Sequence, residues 1–86
     1  MNFIWTAPFK KDFKKLPQRT KKKFEKQINF LTFDMFYPSL HTKKMQGRDD
    51  IWEARIDKFY RFTFQMEGEN IILRRIGPHD KGLGKK

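Results

Sequence analysis

Eighty-six residues, ten of them Phe and none Cys, allow one domain with a modest core and neither disulfides nor thiolate metal ligands. The formal charge of +10, from 20 Lys and Arg against 10 Asp and Glu, implies a polyanionic partner for so small a chain: nucleic acid, an acidic protein or an anionic surface. No apolar stretch approaches the roughly 20 residues that span a bilayer, and Met1 to Thr6 leads into a charged segment rather than a secretory signal, so the expected compartment is the cytoplasm and no membrane partner is expected.

Asn2 to Thr6 is a short apolar run and reads as a strand. Pro8 opens a helical pattern in which Phe9, Phe13 and Leu16 recur at i, i+4 and i+7. Pro17 stops that helix and starts a second, in which Phe24, Ile28, Leu31 and Met35 form one apolar stripe that ends before Pro38. The two helices should form a hairpin. Pro38 to Asp50 is polar and basic, with Gly47 and Asp49-Asp50 as turn signals and room for a short edge strand near Lys43 to Gln46.

From Ile51 the period becomes two. Trp52, Ala54 and Ile56 alternate with Glu53, Arg55 and Asp57; Tyr60, Phe62, Phe64 and Met66 alternate with Arg61, Thr63 and Gln65. Glu67 to Asn70 is a turn, and Asn70 to Ile76 is a strand whose Ile71-Ile72-Leu73 run suggests burial on both faces. Gly77-Pro78 ends it before a short tail. Helices grouped ahead of strands predict an α+β layer fold, a single domain over residues 1–86: an N-terminal strand, a two-helix hairpin, then an antiparallel sheet of three to four strands with the hairpin on one face.

This alternation bears on function. If Trp52, Ala54, Ile56, Phe62 and Phe64 face the helices, Arg55 and Arg61 point to the other face as close neighbours. Two readings follow. Either an anion such as phosphate, which matches the guanidinium fork, occupies the space between them, or Glu53 and Asp57 neutralise them as ordinary cross-strand pairs. His79, just beyond the last strand, would lie near the Arg61 face, where an imidazole can take or give a proton; as a lone terminal histidine it also reads as an inert surface residue. His41 carries the same two readings. The basic stretch Lys10 to Lys26 reads as a solvated helix face that would speed association with an anion. The sequence holds no metal-ligand pattern, nucleotide-binding glycine loop or Ser/His/Asp set, so no metal or small-molecule cofactor is expected. RNA supplies its own nucleophile in the 2′-hydroxyl, so phosphoryl transfer without a metal needs only a base, an acid and cations at the phosphate.

The ordered set Trp52-x-Ala54-Arg55-Ile56, Tyr60-Arg61-Phe62, the Ile-Ile-Leu strand and Ile76-Gly77-Pro78-His79-Asp80, together with Phe9-Lys10-Lys11-Asp12-Phe13 and the Lys-rich second helix, resembles RelE/ParE superfamily toxins over nearly the whole chain. It is most similar to the YoeB- and YafQ-like branches. The resemblance implies a twisted sheet under two N-terminal helices, ribosome-dependent mRNA cleavage through a 2′,3′-cyclic phosphate without metal, and a cognate acidic antitoxin as partner. It implies that Arg61 stabilises charge on the phosphate, that His79 transfers a proton and that Arg55 supports the phosphate. Lys43, Lys44, Arg48, His41 and Arg74 are the expected RNA contacts. Two departures stand out: His41 or Thr42 falls where one branch has a catalytic Glu, which leaves the general base unassigned, and Asp80 falls where some members carry a Tyr. The alternative is a non-nuclease member, a ParE-like inhibitor of DNA gyrase or a protein that only binds its partner.

Overall fold

The computed structural model describes residues 2–47 and 50–78. In chain order it contains strand β1 (Asn2–Trp5), helix α1 (Ala7–Lys14), helix α2 (Gln18–Phe33), a 3-10 turn (Pro38–Leu40), and strands β2 (Lys43–Lys44), β3 (Ile51–Arg55), β4 (Tyr60–Glu67) and β5 (Asn70–Pro78). The first helix begins one residue before Pro8. Thr6 is its N-cap: its hydroxyl accepts from Phe9 N at 3.3 Å and donates to the Leu73 carbonyl at 2.7 Å, so one side chain starts the helix and fastens it to the sheet.

The sheet has five strands in the order β1-β5-β4-β3-β2. The expected α+β fold is borne out, with a slightly higher strand count. β2 to β5 form the antiparallel meander, and the N-terminal strand β1 adds a fifth strand, parallel to β5, from Asn2 opposite Asn70 to Trp5 opposite Leu73. The physical reason lies in β5, where Ile71 and Leu73 are buried and Ile72 half-buried. A strand covered on both faces takes neighbours on both edges, and the two helices supply the crossover a parallel neighbour requires. The β4–β5 hairpin has a two-residue turn with Gly68 first, at φ 62°, a conformation glycine adopts without a Cβ clash.

The core lies between the helices and one sheet face, where Phe9, Phe24, Leu31, Leu40, Ala54, Phe62, Phe64 and Leu73 have at most 1% of their surface exposed. Aromatic edges meet faces through this layer. The rings of Trp5 and Phe9 lie 5.0 Å apart at 88°, and those of Phe24 and Phe62 5.2 Å apart at 88°. Each such pair contributes about 0.5–1.5 kcal/mol beyond the area it buries. With both helices on one face, the other face is left to Lys43, Glu53, Arg55, Arg61, Thr63 and Gln65. No helix among the described residues is long and apolar enough to cross a membrane.

Candidate functional site

A cleft of about 440 Å³ opens on this second face at the β2 edge, lined by His41, Thr42, Lys43, Glu53, Arg55 and Arg61. The register builds it. Lys43 pairs with Glu53, Glu53 with Thr63, and Arg55 with Arg61, so polar side chains of β2, β3 and β4 converge, Glu53 and Arg55 both coming from β3. Like charges directly opposite one another destabilise a sheet, and the Arg55–Arg61 pair is such a juxtaposition.

Arg61 is held differently from the open placement that alternation suggests. Only 7% of it is exposed, because the β3–β4 turn folds back over its guanidinium. Nη1 donates to the carbonyls of Asp57 at 2.8 Å, Lys58 at 3.0 Å and Tyr60 at 3.3 Å. The turn keeps that shape because the Asp57 carboxylate accepts from Phe59 N at 2.8 Å and Tyr60 N at 2.9 Å, the local bonding that favours Asp in turns. Among the described residues Nη2 and Nε of Arg61 donate to no protein group. Burial, then the charge of Arg55, lowers the Arg61 pKa; attraction to Glu53 and Asp57 offsets this only in part. A guanidinium stays charged regardless.

The two acids that could have neutralised the arginines are engaged elsewhere. Glu53, 4% exposed, lies 3.7 Å from Lys43 Nζ, and Asp57 lies 3.2 Å from Lys23 Nζ. Burial pushes the Asp57 pKa up, but the Phe59 and Tyr60 amides and Lys23 outweigh it and leave the value lowered. Neither Arg55 nor Arg61 makes an ion pair among the described residues. The arrangement can therefore receive an anion against two arginines, with Lys43 at the rim.

His41, exposed beside the cleft, has φ 47° and is the single non-glycine residue with positive φ among those described. It caps the 3-10 turn, and such a conformation costs about 1 kcal/mol or more unless the surroundings impose it. The cleft thus brings together Arg55, Arg61, Lys43 and His41. Lys44 lies on the opposite face of β2, its Nζ 5.9 Å from the ring centre of Trp52. Arg74 occupies a bulge in β5 and donates to Gln65 Oε1 at 3.3 Å, away from the cleft. Arg48 and His79 lie outside the described residues.

Gln27 is a contributor that periodicity did not single out. Its buried amide donates to the carbonyls of Arg55 at 2.9 Å and Ser39 at 3.0 Å, and its oxygen accepts from the Ser39 hydroxyl at 3.2 Å. It joins α2 to both the strand that carries Arg55 and the turn that carries His41. The available signal was a polar residue beside the apolar stripe of Phe24, Ile28 and Leu31. Glu53 was legible as a residue two positions from Arg55 and hence on its face.

Several known toxins share this architecture. The YoeB/ParE toxin from Agrobacterium tumefaciens superposes with a TM-score of 0.79 at 19% identity, over 92% of this chain and 99% of that one. YafQ from E. coli strain BL21(DE3) gives 0.75 at 14% identity over 91% and 92%. RelE of Methanococcus jannaschii, solved as a RelB-RelE antitoxin-toxin complex, gives 0.73 at 24% identity over 87% and 88%. No curated protein matches the sequence significantly. The profile of the ParE toxin of the type II toxin-antitoxin system parDE matches residues 3–82. With the fold and the profile in agreement, this chain belongs to the ParE toxin family, within the RelE/ParE superfamily of type II toxins.

Proposed function

We propose that this toxin is a ribosome-dependent mRNA endonuclease that inhibits translation in the cytoplasm and is restrained by a cognate acidic antitoxin. The observation that carries this reading is the Arg55–Arg61 pair, opposed across β3 and β4 without a carboxylate partner among the described residues. A scissile phosphate between them receives the free nitrogens of Arg61 and the guanidinium of Arg55. A base removes the proton of the neighbouring 2′-hydroxyl, whose oxygen attacks phosphorus. The bond to the 5′-oxygen breaks, a 2′,3′-cyclic phosphate remains, and an acid protonates the departing 5′-hydroxyl. His41 takes the base role here, since the Glu53 carboxylate is engaged by Lys43; His79 takes the acid role.

The antitoxin partner is supported by the +10 charge and by the RelB-RelE complex, whose toxin shares this fold. A second reading, a ParE-like inhibitor of DNA gyrase, is favoured by the family profile itself. Induced expression followed by mapping of mRNA 5′ ends separates the two. Cuts at fixed codon positions are expected; intact messages together with inhibited DNA supercoiling would establish the gyrase reading instead. Arg61→Ala should lower cleavage about 10²–10³-fold and His79→Ala about 10²–10⁴-fold, with the fold retained by circular dichroism, while Lys22→Ala on the exposed helix face should do little.

A further inference from the structure

We propose that the aromatic shelf on the helix side of β2 is a base-stacking subsite for single-stranded RNA, taking a nucleotide that flanks the phosphate in the cleft; this rests on the nuclease reading above. The shelf is built from the end of α2 and the turn after it. Phe33 is 85% exposed, Phe36 60% and Tyr37 37%. Phe33 and Phe36 keep most of their apolar surface in water and so do little for the fold, while Tyr37 is more than half buried. Phe36 and Tyr37 are nonetheless fixed. Phe36 stands at 77° to Trp52 with centroids 5.8 Å apart, and Tyr37 stacks on Phe30 at 4.2 Å and 8°. The Asp34 carboxylate accepts from Phe36 N at 2.9 Å, and the Thr42 hydroxyl donates to the Met35 carbonyl at 2.6 Å.

Two observations select the occupant. The first is continuity with the cleft. β2 is the sheet edge and only two residues long, with Lys43 on its cleft face opposite Glu53 and Lys44 on its shelf face opposite Trp52. The segment that positions Phe36 and Tyr37 runs directly into His41 and Thr42 of the cleft lining. A strand whose phosphate lies against Arg55 and Arg61 can place an adjoining base across this narrow edge. The second is charge complementarity. Lys44 sits over the Trp52 ring beside the shelf, and the nearby acid Asp34 is turned onto a backbone amide. Fixed rings bordered by lysine suit a polyanion whose bases all present a π-face. The +10 charge argues against a second copy of this chain as occupant.

The test uses ribosomes programmed with a message that is 2′-O-methylated at the cleavage position, to block reaction, and carries 2-aminopurine beside it. Affinity and 2-aminopurine fluorescence are read on adding the full chain. Phe36→Ala, Phe36→Leu and the most exposed site, Phe33→Ala, should fold as the parent does, verified by melting. Both Phe36 variants should weaken binding about ten-fold and relieve the fluorescence quenching. Lys44→Gln should flatten the salt dependence of binding. Restoration of parental affinity by Phe36→Leu would show a greasy contact rather than stacking and overturn the proposal. Parental affinity in all shelf variants, with Arg61→Ala still impaired, would overturn it while sparing the cleft reading; loss of an acidic protein partner with RNA affinity intact would likewise reassign the shelf. A parent chain that binds no message would remove the nuclease reading and the subsite together.

Discussion

Arg75 and Arg61 project from adjacent strands of one sheet, and the protein treats their charges in opposite ways. At the seam between α1 and β5, Arg75 donates to Asp12 from Nε at 2.7 Å and Nη2 at 3.3 Å, and the same carboxylate accepts from Ile76 N at 3.2 Å. That hydrogen bond, outweighing desolvation, raises the Arg75 pKa. β1 ends opposite Leu73, so beyond it β5 has no strand neighbour on that edge, and Asp12 supplies the acceptor that a neighbouring strand would have provided. At the cleft, Arg61 is deeper, faces another arginine, is held by carbonyls alone, and its pKa falls. A cation matched by a carboxylate serves the fold. One matched only by dipoles is a charge the fold does not neutralise, which is the role given to the phosphate in the proposed function.

The largest expected separation between the two regions comes from Asp12→Ala set against Arg61→Ala. Asp12→Ala removes a charged acceptor from the Ile76 amide, worth about 1.5–3 kcal/mol. The Arg75 side chain is 58% exposed, so its pair adds only about 0.2–1 kcal/mol after screening. Melting should therefore fall by roughly 10–25 °C in a domain of this size while message cleavage persists. Arg61→Ala should abolish cleavage, and its melting should fall less than that of Asp12→Ala, since relief of the Arg55–Arg61 repulsion offsets part of the loss of the Nη1 hydrogen bonds. Equal loss of stability in both would erase the distinction.

A smaller effect is expected from Asp57→Ala, which removes the carboxylate oxygen that accepts from two amides of the turn that grips Arg61. Stability should drop about 1–2 kcal/mol, with reduced cleavage because the guanidinium is released. The sign of its pH dependence follows from the lowered pKa. The contribution is fully present above the ordinary Asp value of about 3.9 and is lost as pH falls through the lower folded value. Acid titrations of parent and variant, followed by circular dichroism, should converge at the acid end and diverge above it.

The smallest change in stability belongs to His41→Gly. Relief of the left-handed backbone, offset by the freer unfolded chain, should leave stability level or raise it by up to about 1 kcal/mol, yet cleavage should fall about 10²–10⁴-fold with the base gone. Full activity in this variant would move the base to another group.

Much of this was readable before any coordinates. The period-two alternation of Trp52 to Met66 put Arg55 and Arg61 on one face as close neighbours, because strand faces are set by parity alone; the register that sets them directly opposite is a property of the hairpin. The helix stripe of Phe24, Ile28 and Leu31 and the helix break at Pro17 were legible for the same local reasons. The pairing of β1 was not, since which strand a chain end joins depends on contacts nearly 70 residues apart. Nor was the enclosure of Arg61, which requires backbone carbonyls of a turn whose shape is set by the Asp57 carboxylate. Lys44 and Arg74 showed charge but not direction: a single position of parity on β2 and a bulge on β5 took them out of the cleft.

Gln27 ties this fold's interior to its surface chemistry. Its amide gives protons to Arg55 and Ser39 carbonyls and takes one from the Ser39 hydroxyl; a carboxylate there could only accept, and a leucine could do neither. The spacing between the two walls of the cleft is therefore inherited from the seating of α2 on Leu31, Phe24 and the sheet beneath. A substitution in that hidden layer should change the width of the cleft mouth as well as the packing beneath it.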